Sequence, residues 1–177
     1  SGRLKMWSEV LDGTVMPGMQ GGPLMHVIAG KAVAFKEALE PSFREYQKQI
    51  LRNAQALSAA LQEGGARIVS GGTDNHLMLI DVRPFKISGK QAETLLDRAN
   101  ITVNKNGIPF DTASPLVTSG IRVGTPALTT RGMGEKEMKT IAGFVLEVLK
   151  NPDNDGRIAE IAGKVEALTA NFPLVAE

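Results

Sequence analysis

The 177-residue sequence contains no cysteine, which removes disulfides, thiolate catalysis and cysteine metal sites together and agrees with a reducing compartment. Histidine is nearly as scarce. With His26 and His76 alone, a zinc site would need carboxylates to complete it, and no metal is expected. No window approaches ~18 consecutive apolar residues, so no membrane span is predicted. Charge of one sign is also missing: twenty Lys and Arg against nineteen Asp and Glu give +1. Such a chain has no whole-molecule field to gather nucleic acid or anionic lipid, and neither is expected as a partner. The chain opens Ser1-Gly2-Arg3 without Met, and no apolar signal-peptide core follows. The expectation is a processed chain or a piece of a longer one.

What is present suits a folded domain. Hydrophobic residues make up 42% and charged residues 22%, with a mean hydropathy of −0.06, which excludes the disordered and membrane classes. A chain of 18.9 kDa is one domain, or one domain with an arm, and buries roughly 70% of its unfolded surface.

Periodicity predicts the elements in turn. Leu4, Trp7, Val10 and Leu11 give a short helix over 3–12. Met16 to Pro23 is a glycine-rich loop whose closing Pro23 suits the first position of the next helix. That helix, 24–39, is apolar around most of its circumference and needs partners on several sides. Pro41 breaks the chain, and Ser42 with Glu45 has capping-box form. A long helix buries Phe43, Tyr46, Ile50, Ala54, Leu57 and Leu61 and stops at Gly64-Gly65. Strands are predicted over 67–70, 76–82, 101–103 and 120–124. The poor alternation of 76–82 suggests burial on both faces. Ser88 and Gln91 form a second capping box for a helix through Ala99. The stretch 104–119 is irregular enough to be a functional loop, and helices over 134–150 and 156–171 end the chain. The fold class is α+β, a two-layer arrangement with a small antiparallel or mixed sheet covered by helices.

Local chemistry leaves function open. The glycine-rich loop entering a helix offers backbone amides to a phosphate or carboxylate, or is a tight turn between packed helices. Arg122, on a strand of Gly and Val, either takes a bidentate anion or lies on a solvent-facing edge. His76 beside Asp74 is a general base or a turn residue, and His26 a buried, satisfied imidazole. An anion-binding enzyme domain and an interaction module are both consistent with these features.

Four longer phrases narrow the choice. Pro17-Gly18-Met19-Gln20-Gly21-Gly22-Pro23-Leu24-Met25-His26, Ser70-Gly71-Gly72-Thr73-Asp74-Asn75-His76, Arg98-Ala99-Asn100-Ile101-Thr102-Val103-Asn104-Lys105-Asn106 and Thr118-Ser119-Gly120-Ile121-Arg122-Val123-Gly124-Thr125-Pro126-Ala127 resemble serine hydroxymethyltransferase in order and spacing. The resemblance runs from about Met16 to the C-terminus, and Ser1 to Thr14 lacks the family sequence expected there. It implies the C-terminal part of a fold-type I pyridoxal-phosphate transferase that passes the serine hydroxymethyl carbon to tetrahydrofolate and leaves glycine. The implied organisation is a strip of the large domain, 1–40, followed by the small domain, 41–177. The family is cytoplasmic and homodimeric or tetrameric, with active sites at the subunit interface.

By the resemblance, Gly21 and Gly22 hold the cofactor phosphate of the neighbouring subunit. Arg122 pairs with the amino-acid carboxylate, and Asn106, Ser114, Pro115 and Leu116 contact folate. Phe110-Asp111-Thr112-Ala113 departs from the Pro-Lys or Pro-Arg pair of many members. None of the eleven lysines has the threonine-rich context of the family's cofactor lysine, so no catalytic residue is assigned and the stretch alone is expected to be inactive. A non-catalytic binding or assembly module with the same fold is the alternative. A threonine aldolase shares the fold but not the folate loop.

Overall fold

A computed structural model describes residues 2–174. The chain divides into two units, Ser1–Phe43 and Arg44–Glu177. The first holds helix α1, Trp7–Gly13, a wide turn over Thr14–Met19, and helix α2, Met25–Leu39. Helix α1 starts later than its periodicity predicts, because Met6 is extended and its N–H is held at 2.9 Å by the Glu9 carboxylate, which also takes Arg3. Pro23 is not the first residue of α2. Leu24 is still extended, so Pro23 closes the loop before the cap. Neither helix buries a residue, and Val33, Phe35 and Leu39 are open to solvent. His26 is exposed on α2, against the expected buried imidazole, because α1 and the Thr14–Met19 turn, the rest of its unit, leave that helix uncovered.

Helix α3, Pro41–Glu63, begins two residues before Phe43, the first helical residue that a cap at Ser42 predicts. Proline at the first helical position loses no hydrogen bond, and the Glu45 carboxylate is drawn to Lys48 Nζ at 2.8 Å. Its apolar stripe then enters the core at Ile50, Ala54, Leu57 and Leu61, while Phe43 lies 38% exposed and Tyr46 is only half-buried. The second unit continues with β1 (Arg67–Ile68), β2 (Leu77–Asp81), α4 (Gly89–Arg98), β3 (Asn104–Asn106), β4 (Gly120–Gly124), α5 (Pro126–Thr130), α6 (Glu135–Lys150) and α7 (Asp155–Thr169).

The four strands form an antiparallel sheet in the order β1-β2-β4-β3, which gives an α+β fold of two layers. Three strand boundaries shift from expectation. β1 stops after Ile68, where Ser70 (φ 71) and Gly71 (φ 72) turn the backbone left-handed. β2 starts at Leu77 because the Asn75 and Thr73 side chains take up its first amide and carbonyl. The strand expected over 101–103 does not pair. Asn100 at φ 59 redirects the chain into the core, where Val103 is buried, and pairing begins only at Asn104.

Residues opposite one another in the ladder share a face. Ile68, Met78, Ile80 and Ile121 lie on the inner face and meet Leu57, Leu61, Leu96, Met138, Leu149 and Ile161 of the helical layer in one core. The outer face of β2 is half-buried at Leu77 and Leu79, less covered than the two-sided burial its pattern suggests. The Ser88 box is present: Ser88 Oγ accepts from Gln91 N at 3.2 Å, and the Gln91 side chain accepts from Ser88 N at 2.8 Å.

Candidate functional site

Arg122 stands at the centre of β4, opposite Leu79 on β2 and Asn104 on β3. Its same-face neighbours along the strand are Gly120 and Gly124, so no side chain of its own strand crowds the guanidinium. A Cβ on Gly120 would lie 2.9 Å from the Ile80 carbonyl and 3.0 Å from that of Asn106, so the bare strand is sterically required. Asn106 faces Gly120 and is therefore a diagonal neighbour of Arg122. Its amide nitrogen donates to the Gly107 carbonyl at 2.7 Å.

The guanidinium inventory singles Arg122 out. Arg3, Arg52, Arg67, Arg83, Arg98 and Arg157 are ion-paired, and Arg131 donates to the carbonyls of Thr169 and Phe172. Among the described residues, Arg44 and Arg122 alone of the nine arginines make neither kind of contact. Of these two, only Arg122 sits on the sheet, where it is exposed.

Two other arginines, Arg67 of β1 and Arg83 just after β2, are occupied by Asp81. Burial pushes its carboxyl upward, but hydrogen bonds from the Arg83 side chain and backbone and from Arg67 outweigh that and hold it below the usual range. Asp81 is 1% exposed, so both guanidinia are fixed at the sheet rim.

Ser114, Pro115 and Leu116 lie on the irregular stretch between β3 and β4, exposed to solvent. This segment is organised by Asp111. Its Oδ2 accepts from Ile108 N (3.2 Å) and Ser119 N (2.9 Å), and its Oδ1 from Ala113 N (2.9 Å) and Ser119 Oγ (2.7 Å). The Ser119 hydroxyl first, then these amides, hold its pKa down to about 2. The far limb is also fastened to α4, with Gly89 N and Lys90 N donating to the carbonyls of Thr118 and Val117. The sequence marks Asp111 only as a departure from the family pattern. An Asp two residues beyond Pro109 in a turn-rich stretch is the signal that could have identified it.

His76 is exposed and its carbonyl accepts from Thr125 N at 3.0 Å, which makes it a turn residue just before β2. Asp74 bonds Asn75 instead of the imidazole. A cavity of about 430 Å³ is lined by His76, Asn104 and Arg122 together with Leu57, Leu61 and Val145. Helix α5 went unread in the sequence, although Thr125-Pro126 is a helix start.

In the first unit, Gly21 and Gly22 are exposed, and a Cβ on either would meet nothing within 4 Å. Among the described residues their N–H groups have no hydrogen-bond partner. Two free amides on backbone without side chains fit the approach of a phosphate. No group of three or more His, Asp or Glu that could hold a metal ion occurs among the described residues, and no described helix is long and apolar enough to cross a membrane.

Comparison with known proteins places these residues in context. The family profile described as serine hydroxymethyltransferase matches residues 2–145. A curated relative from Myxococcus xanthus (strain DK1622), named serine hydroxymethyltransferase, is 58% identical over 170 residues, covering 96% of this chain. The chain spans 41% of that relative's length. The match begins at residue 2, which corrects the expectation that 1–14 departs from the family: a short exposed helix with few motif residues is too featureless to place by phrase alone.

Proposed function

Since the chain belongs to the serine hydroxymethyltransferase family, we propose that it supplies the substrate-carboxylate and folate side of an enzyme that interconverts serine and glycine and passes the one-carbon unit to tetrahydrofolate. The observation that carries the reading is the unpaired guanidinium of Arg122, set on a strand stripped of neighbouring side chains. A planar fork held there takes both oxygens of an amino-acid carboxylate and so fixes the rotation of the α-carbon. In this reading the folate contacts are Asn106, diagonal to Arg122 across the β3–β4 ladder, and Ser114, Pro115 and Leu116 on the loop between those strands.

Gly21 and Gly22 hold the phosphate of pyridoxal phosphate through their free amides, in the active site of the neighbouring subunit. That cofactor, when bound, supplies the electron sink that lets a bond at the α-carbon break. The exposed apolar residues of α2 fit a helix covered by further chain and by a second subunit of a homodimer or tetramer. The cofactor lysine belongs to residues outside these 177, so the stretch alone turns over no serine.

The test is Arg122→Ala in the full-length protein. Loss of a bidentate charged pair of about 3 kcal/mol predicts serine binding weakened roughly 100-fold with cofactor binding retained. Unchanged serine affinity would remove the assignment.

A further inference from the structure

The loop between β3 and β4 has a shape that its own residues do not favour. Phe110, 98% exposed, sits at φ 57 and Thr118 at φ 58, both left-handed conformations that an aromatic and a β-branched residue rarely adopt. Something must impose that path. Asp111 lies between these two positions and reaches both limbs: Ile108, two residues after Asn106; Ala113, one residue before Ser114; and Ser119, three residues before Arg122.

A carboxylate offers about four acceptor sites, and here all four are filled, two on each oxygen. None remains to accept a proton from a substrate or to touch one. The Asp111 N–H is also engaged, donating to the Ile108 carbonyl at 3.0 Å. Ile108 is in turn wedged over Gly120, where its Cγ2 lies 2.6 Å from the position a Cβ would take. The three groups assigned above to substrate and folate are therefore joined by one side chain: the strand of Asn106, the Ser114–Leu116 limb and the start of β4.

We propose that Asp111 is a positioning residue for folate, setting the separation between Asn106 and Ser114–Leu116 without contacting the ligand. This rests on the folate assignment of the loop. The remaining bonds of the excursion are local turns at Ile108–Asp111 and Ser114–Thr118 and the tie of Val117 and Thr118 to α4, so loss of the carboxylate frees the Ile108 and Ala113 parts from Ser119 while β4 keeps its pairing to β2 and Arg122 its place. Folate recognition and carboxylate recognition should then come apart.

In the full-length protein, Asp111→Asn keeps the shape but turns one pair of acceptors into donors facing N–H or O–H groups. The KM for tetrahydrofolate should rise about 10-fold or more while serine affinity stays within about two-fold, since two hydrogen bonds are lost at the loop and none at Arg122. Ser119→Ala removes a single bond at 2.7 Å and should raise the same KM by about three-fold, which keeps the test decisive if the first variant folds poorly. A folate KM unchanged in both variants overturns the proposal. So does a parallel loss of serine and folate binding, which would mark Asp111 as a residue of general stability. Wild-type protein with no saturable dependence on tetrahydrofolate would instead sink the folate reading itself, and the inference with it.

Discussion

Gly89→Ala pits two opposing effects against each other. Gly89 is the first residue of α4 and has no left-handed φ, so alanine is conformationally allowed and helix propensity alone favours it by up to about 1 kcal/mol. The added methyl, however, would lie 2.1 Å from Thr118 Oγ1 and 2.4 Å from the Gly120 carbonyl. The threonine can rotate at the expense of its 3.3 Å bond to Gly120 O, but the carbonyl belongs to β4 and cannot. Relief requires α4 to retreat by about 1 Å, an overpacking cost of about 1–3 kcal/mol or more. The clash should win by about 1–2 kcal/mol, lowering the Tm of a unit of this size by roughly 3–8 °C. Thermal unfolding of the full-length protein, followed by circular dichroism, measures it. Gly143→Ala and Gly163→Ala are the controls, since both are exposed within helices and a Cβ there meets nothing within 4 Å. Those two should gain about 0.5–1 kcal/mol each. A Gly89→Ala protein melting at or above wild type, with the controls behaving as stated, would refute the packing argument.

Two further outcomes follow from buried polar groups. Asp81→Asn should cost about 1–2 kcal/mol by denaturant titration at neutral pH, discounted because Arg67 and Arg83 are half-exposed. Its carboxyl is held low in the folded state, so the stabilisation is complete above the ordinary value of 3.8 and disappears as pH falls below it; wild type and variant should converge there. Asn53 is fully buried and donates to Thr129 Oγ1 at 2.8 Å and Met133 O at 2.9 Å, joining α3 to the α5–α6 segment. Asn53→Ala should cost about 2–4 kcal/mol by the same titration, from the orphaned acceptor and the small void together.

Much of this structure could be read from the sequence wherever one residue and its near neighbours decide the outcome. The Ser88 box depends on residues three apart, and the α3 stripe on spacings of three and four. Gly and Val around the cation make Arg122 readable as a residue with few partners on its own strand, but not as an anion site rather than a solvent-facing arginine. The Asp111 hub was not legible, since its strongest bond spans eight residues and depends on how the loop closes. The 101–103 strand failed for a similar reason: its residues suit a strand, but Asn100 turns them toward the helices before β4 is reached. Pro41 reads as a breaker before the cap, yet it is the first residue of the helix itself.

The rims of the sheet bear on how the polypeptide behaves when it aggregates. β1 has only two paired residues and carries Arg67, and at β3 the backbone N–H of Lys105 is already capped by the Glu93 carboxylate at 2.9 Å. Edges this short, charged and occupied give an incoming strand almost no free ladder to extend. Clumping in this chain should therefore proceed through the apolar surface of α2 and yield helical, amorphous material in place of cross-β fibres.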